Sequence, residues 1–181
     1  MKTRFISCWV ALASTITLTA NLVVAQPVTQ PGSHRLRIGI YDSRAIAVAY
    51  ANSSEFRETL KLAKADYEKA KDNQDDKAMA KIKAQMQLSQ RRKHEQAFST
   101  GSVIDITTTI KSALPAVAKD ADVDLIVSKW EVTYQADTVE TVDVTDRLVA
   151  LFHPDERGAK WAKQIQGKPP IPMEKITDDL D

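Results

Sequence analysis

The segment from residue 40 to residue 100 contains no glycine and no proline, and it is rich in charged side chains. Because glycine and proline are the strongest helix breakers, their absence over this length predicts helix throughout. In the first part of the segment, apolar residues recur at intervals of four, three, four and three, and so form one narrow seam: Phe56, Leu60, Ala63, Tyr67 and Ala70. An arm of this kind buries little of itself, which favours contact with a second helix or a partner over an active site.

A polar cluster interrupts the seam in the middle of the segment. Residues 72–76 (DNQDD) have low helix propensity, and the apolar rhythm resumes after them, with Ile82 in the seam. Two structures are compatible with this pattern: a single helix of about 45 residues, or an antiparallel hairpin with its tip at the cluster. Charge favours the hairpin, because residues 55–76 carry a net charge of −2 and residues 77–98 carry +5. We therefore expect a helical hairpin arm at about residues 53–100.

The N-terminal residues have the pattern of a secretory signal peptide, which we assign to residues 1–25. A short basic start precedes a mostly apolar, uncharged stretch at residues 5–24, and the final Val-Val-Ala fits a cleavage site. A retained membrane anchor is the alternative, because this stretch is nearly long enough to span a bilayer. The prediction is cleavage after Ala25, export to the periplasm, and a disordered leader at residues 26–35.

Charge and cysteine content limit the function classes. The full chain has a formal charge of +1, and its one cysteine, Cys8, lies within the predicted signal peptide. Loss of Lys2 and Arg4 with that peptide changes the charge to −1. A chain so balanced gives no reason to expect nucleic-acid binding, and without cysteine its fold depends on packing or oligomerisation. The three histidines are scattered, so neither a metal site nor a cofactor is expected.

The residues on either side of the arm predict a small β-sheet. Leu36, Ile38 and Ile40 alternate with their neighbours as in a half-buried strand. The other predicted elements are helices at residues 45–51, 103–119 (bent at Pro115) and 146–152, and strands at residues 123–128, 132–134 and 142–144. Residues 153–181 are polar and proline-containing, and predict a tail. The predicted fold class is α+β, with a small sheet core and a projecting antiparallel helical hairpin.

This order of elements resembles the OmpH/Skp family of periplasmic chaperones. The similar segments are an Ile-Lys-Ser-Ala helix at 110–113, the strands at 123–127 and 132–134, the Val-Asp-Val-Thr-Asp turn at 142–146, and the first strand with its Asp-Ser ending at 37–43. The resemblance covers about residues 36–152, with the arm matched in character only. The chain departs from the family in its shorter arms, its near-neutral charge and its C-terminal tail.

The resemblance implies a homotrimer assembled through the sheet, with three helical hairpins surrounding a cavity. In that family the cavity holds unfolded outer-membrane proteins without ATP. The expected function is therefore a holdase chaperone in outer-membrane protein biogenesis, and not an enzyme. The alternative is an envelope structural or adaptor protein, in which the coiled-coil arm docks one specific partner.

Five residues of the second arm are candidates for contact with a client or partner: Met79, Met86, Arg91, Arg92 and Lys93. Thioethers adapt to varied partners, and a basic run attracts acidic client segments or, weakly, anionic lipid head groups. The alternative places the methionines in the hairpin seam and the basic run on a solvated face opposite the acidic first arm. Trp130 is expected in the core or at a subunit interface.

Overall fold

Three short parallel strands form the centre of the computed structural model, which describes residues 35–176. Strand β1 (Arg37–Tyr41) lies between β2 (Leu125–Ser128) and β3 (Glu140–Asp143), so the order is β2-β1-β3. In this register Gly39 lies beside both Ile126 and Val142. A Cβ atom at Gly39 would approach Ile126 Cγ1 and Val123 Cγ2 to 3.2 Å, so glycine permits the close packing at this point. The predicted signal peptide and nearly all of the leader lie outside the described residues.

Helix α1 (Ser43–Ala51) follows β1 directly and forms the middle of the helical layer. Its N-cap is Asp42, whose side chain accepts a hydrogen bond from the backbone N–H of Arg44. The helix is rich in alanine, and Ala45, Ile46 and Ala49 are buried. Small side chains on several faces allow α1 to contact several of the helices that follow it in the chain.

The predicted arm at residues 53–100 forms two helices rather than one. Helix α2 (Ser54–Asp72) and helix α3 (Asp76–Phe98) are in contact with each other and are joined by residues 73–75. The break is local: Gln74 adopts a positive φ of 55°, and Asp75 caps α3 by accepting from the backbone N–H of Ala78 at 2.9 Å. The polar cluster therefore ends one helix and starts the next, as its composition predicts.

The segment between α3 and β2 is more divided than its apolar stripe predicts. It contains α4 (Ile104–Thr109), a 3₁₀ turn (Lys111–Ala113) and α5 (Leu114–Ala121) in place of one helix over 103–119. Pro115 lies in the first turn of α5, where its missing N–H removes no helical hydrogen bond. A proline at this position starts a helix rather than bending one.

The predicted strand at residues 132–134 is wrong. These residues lie in the irregular connection from β2 to β3, where Val132 and Tyr134 are exposed. Their β-branched and aromatic side chains favour a strand, but propensity is insufficient without a neighbouring strand to pair with. The third strand of the sheet is instead β3, which begins two residues before the predicted 142–144.

The region assigned to a tail after residue 152 contributes to the folded unit. After α6 (Thr145–Ala150), helix α7 (Glu156–Gln166) packs against α1, with Ala162 fully buried. A 3₁₀ turn (Met173–Lys175) follows, and the backbone N–H of Ile171 donates to the carbonyl of Phe98 at 2.8 Å. The structured part thus extends well beyond the predicted boundary, while residues 177–181 lie outside the described range.

One face of the sheet packs on the helices, and no other element within residues 35–176 covers the opposite face. Tyr41, Ile126 and Val142 pack against the core formed by α1, α4, α5 and α6. The register places Ile38, Ile40, Leu125 and Val127 on the opposite face, where they are half-buried or exposed. A parallel sheet normally has both faces covered, so this apolar face is unusual.

Candidate functional site

An open apolar groove of about 760 Å³ lies between α2, α3 and α7. Its floor includes Val48 and Ala51 of α1. Apolar side chains from three helices line its walls: Phe56, Leu60 and Ala63 of α2, Ile82, Met86, Ala97 and Phe98 of α3, and Trp161 and Ile165 of α7. Its size lies within the range of small-molecule and peptide sites.

The two arms do not close over their apolar seam. Leu60 is 39% exposed, Phe98 is 40% exposed, and Trp161 is 47% exposed at the mouth. The heptad spacing of α2 does form one apolar stripe, but this stripe faces the groove as well as α3. Apolar surface gathered in a concave site in this way is typical of a binding surface.

Charged residues lie mainly at the base of the groove, near α1. Lys93 is partly buried there, with Nζ 4.9 Å from the centre of the Tyr50 ring and 5.8 Å from that of Phe56. Burial lowers the pKa of Lys93 below its ordinary value, and the Asp105 carboxylate, 3.7 Å from Nζ, only partly opposes this shift. His94 and Lys168 also line the groove.

The five predicted contact residues are divided by the structure. Met86 and Lys93 line the groove, whereas Met79, Arg91 and Arg92 do not. Arg91 pairs with Glu95 at 3.1 Å, and Arg92 pairs with Asp105 at 3.3 Å. Part of the positive charge of the basic run is therefore paired with acidic residues of the same chain.

The predicted seam residues are divided in the same way. Phe56, Leu60, Ala63 and Ile82 line the groove, while Tyr67 and Ala70 lie nearer the tip and do not. Ala70 is buried, and its carbonyl accepts from the backbone N–H of Asp75 in the turn. The turns nearest the tip therefore contribute to the contact between α2 and α3 and not to the groove.

The sequence pattern did not predict that α7 lines the groove. Trp161, Gln164 and Ile165 of α7 line the groove at helical spacing, and Lys168 follows just after the helix. The intervals of three, one and three between these residues are typical of one helix face. However, Gln164 and Lys168 alternate with the two apolar residues, so the pattern is weak within a polar segment. Val48 and Ala51 were predicted as helical, without any indication that they face a groove.

A buried polar cluster lies at the carboxyl ends of the strands. The Asp42 carboxylate accepts from Arg44 at 2.8 and 3.0 Å, from Lys129 Nζ at 2.8 Å and from Trp130 Nε1 at 3.1 Å. Burial alone raises the pKa of Asp42, but the hydrogen bonds from these three residues outweigh it and lower the pKa to about 2. The backbone N–H of Asp42 also donates to Thr145 Oγ1 at 3.0 Å.

This cluster has the character of a structural ion pair. Asp42 and Arg44 are almost completely buried, and Trp130 lies against both Arg44 and Lys129. A carboxylate held ionised by three donors is a poor general base, and water has little access to it. Trp130, which was predicted in the core or at an interface, is half-buried. It follows β2, and its Nε1 donates to Asp42, which follows β1.

Two other features, a metal site and a membrane-spanning helix, are absent from the described part of the chain. Within residues 35–176, no three histidine, cysteine, aspartate or glutamate side chains are arranged to hold a metal ion. None of the helices in that range is long and apolar enough to cross a membrane. The principal candidate site of the described residues is therefore the groove.

The fold and site define an α+β protein with a small parallel sheet and an open apolar groove between helices. Comparison with protein-family models, with curated proteins and with solved structures finds no match for this chain.

Proposed function

We propose that this chain is a periplasmic, ATP-independent holdase that binds unfolded outer-membrane or other envelope proteins. The observation that carries the proposal is the open apolar groove between α2, α3 and α7. An unfolded client exposes apolar side chains that aggregate with one another unless another apolar surface covers them. The groove supplies such a surface, and the predicted signal peptide supplies the compartment.

Binding in the groove is passive. Each apolar side chain that a client buries contributes about 25 cal/mol per Å² of area removed from water. Met86 adds a flexible wall that adapts to clients of different shape, while the base carries the charges of Lys93 and Lys168. Release follows when the client buries the same side chains in its own fold, so no nucleotide is required.

The proposal includes the OmpH/Skp-like assembly: α2 and α3 as the projecting hairpin, and a homotrimer formed through the sheet. Support comes from the face of the sheet that carries Ile38, Ile40 and Val127. Among the described residues no second layer covers this face, although parallel sheets normally have both faces covered. Burial of this face between copies would place several grooves around one centre. Several weak sites acting together bind a long chain more strongly than one.

Suppression of aggregation tests the holdase function. The protein is purified after export with its own N-terminal segment, and a urea-unfolded β-barrel membrane protein is diluted into it while light scattering is recorded. We expect most of the scattering to disappear at one trimer per client. The Leu60→Glu variant should lose most of this protection, because it places a charge in the groove.

The matched control is Leu62→Glu, which changes a leucine of the same helix that is 65% exposed and lies outside the groove. This variant should protect the client as the wild type does, and circular dichroism should show both variants folded. Absence of protection by the wild-type protein would refute the holdase proposal.

A second candidate is an envelope adaptor that docks one specific folded partner through the arms. The observation in its favour is the regular spacing of the groove residues on three helices, which suits one defined occupant. Crosslinking in the periplasm followed by pull-down separates the two functions. A holdase yields many different envelope proteins, whereas an adaptor yields a single one in fixed proportion.

A further inference from the structure

We infer that residues 168–172 (Lys-Pro-Pro-Ile-Pro), here called the proline segment, are a docking motif for a second protein. The partner is a folded domain that binds a polyproline II helix in a groove lined by aromatic side chains. This inference is independent of the holdase proposal and is tested separately from it. Its support comes from the conformation of the segment, its exposed edge, its backbone acceptors and its charge.

The sequence holds the proline segment in an extended conformation. The ring of each of its prolines fixes φ at about −65°. Lys168, Pro169 and Ile171 each precede a proline, which disfavours helical backbone angles at these three residues. Pro172 has φ −52° and ψ 137°, close to the values of a polyproline II helix, and residues 168–172 belong to neither a helix nor a strand. Because the segment is already ordered in this way, binding it costs little conformational entropy.

One edge of the proline segment is free to contact a partner. A polyproline II helix has three residues per turn, so Pro169 and Pro172 lie on the same edge, about 9 Å apart. Both prolines are exposed, whereas Pro170 is half-buried. The backbone N–H of Ile171 donates to the carbonyl of Phe98 at 2.8 Å, and this hydrogen bond holds the segment at the end of α3. The segment is therefore anchored to the folded unit while it presents two prolines at the spacing of a PxxP motif.

The backbone of the segment favours an aromatic groove over a strand as its partner. The carbonyl oxygens of residues 168–171 accept no hydrogen bond from any described residue. Proline has no N–H, and the N–H of Ile171 is already bonded, so a neighbouring strand would find few donors to pair with. Tryptophan and tyrosine side chains donate one hydrogen bond each and pack their rings against apolar side chains. A groove lined by such residues matches both the carbonyl acceptors and the proline rings.

Charge adds a further requirement on the partner. Lys168 at the start of the segment is exposed, and it forms no ion pair with the residues that the structure describes. Beyond the other end, Glu174 and Lys175 carry opposite charges. A carboxylate at one end of the aromatic groove would therefore pair with Lys168 and set the direction in which the segment binds. Because Lys168 also lines the apolar groove, the bound domain would lie beside the base of that groove.

Photocrosslinking in the full-length protein tests the inference. An amino acid with a benzophenone side chain replaces Met173, which is 41% exposed and directly follows the proline segment, and intact cells that produce the protein are irradiated. We expect one main adduct, crosslinked within a folded domain next to tryptophan or tyrosine residues. That domain is then purified and titrated with the full chain while fluorescence anisotropy is recorded. The double variant Pro169→Ala/Pro172→Ala should bind about tenfold or more weakly, because both proline rings are removed.

Two further variants complete the test. Pro154→Ala removes a proline outside the segment and should bind the domain as the wild type does, while Lys168→Glu should weaken binding by reversing the charge. Circular dichroism checks that every variant is folded.

The inference would be overturned by the absence of an adduct that depends on the two prolines. Equal affinity of the purified domain for the wild type and the double variant would also overturn it, as would a contact surface without tryptophan or tyrosine. Suppression of client aggregation should be the same in the double variant as in the wild type, so failure of this inference is distinguishable from failure of the holdase proposal.

Discussion

Asp42 joins the ends of all three strands through its buried carboxylate and its backbone N–H. It caps α1, accepts from Lys129 and Trp130 after β2, and donates through its backbone to Thr145 after β3. The sequence indicated only that an aspartate and a polar turn end the first strand. Nothing in the spacing relates residue 42 to residues 129 and 130, because this contact exists only once β1 and β2 are paired in parallel.

The Asp42 cluster predicts a loss of stability in acid. The pKa of Asp42 is lowered from the usual 3.8 to about 2 in the folded protein, so folding favours its ionised form. This contributes about 2 kcal/mol above pH 4, and the contribution is lost as the pH falls from about 4 to about 2. Denaturant unfolding at a series of pH values measures the free energy of unfolding and its slope in this window.

The Asp42→Asn variant provides the comparison. Removing one partner of a buried ion pair should cost about 3 to 5 kcal/mol at neutral pH, and the variant should lack the Asp42 part of the acid slope. The control is Asp137→Asn in the exposed connection between β2 and β3, which should keep the wild-type slope. An unchanged acid slope in Asp42→Asn would contradict the assignment.

At the scale of elements, the sequence predicts the features that depend on interactions between residues close together in the chain. The break between α2 and α3 was placed correctly, because capping and helix propensity at residues 72–76 act within a few residues. The docking of α7 was missed, since it depends on the fit to α1 rather than on its own composition. Only Ala162 and Gly158 of this helix are buried.

Gly158 gives a direct test of this docking. A Cβ atom at position 158 would lie 2.3 Å from Cβ of Asn52, so Gly158→Ala must displace α7 from α1. We expect a loss of about 1 to 3 kcal/mol in the free energy of unfolding, measured by chemical denaturation, and a change in Trp161 fluorescence. Gly167→Ala is the matched control, because its nearest neighbour would be 3.8 Å away and the helix end has space for it. Equal stability of the two variants would show that α7 does not depend on this close contact.

At the scale of the whole molecule, composition and periodicity indicated the α+β class but not the arrangement of the strands. Alternation in residues 36–40 predicts which side chains share a face, yet it does not state which face is covered or which strand is the neighbour. Those features follow from long-range pairing: β1 lies between two strands that are distant from it in the chain. The same pairing leaves Leu125 and Val127 on an apolar face that no other element of the described residues covers.

This exposed face predicts the oligomeric state and its dependence on one residue. If copies associate through the sheet, the solution mass by light scattering is three times that of one chain, and the melting temperature rises with protein concentration. Leu125 is 48% exposed on this face, so Leu125→Lys should shift the mass towards a single chain by placing charges in the interface. The matched control Leu62→Lys, on α2 and away from the sheet, should remain a trimer. A wild-type mass of one chain at all concentrations would rule out the trimer, and any client would then be held by a single groove.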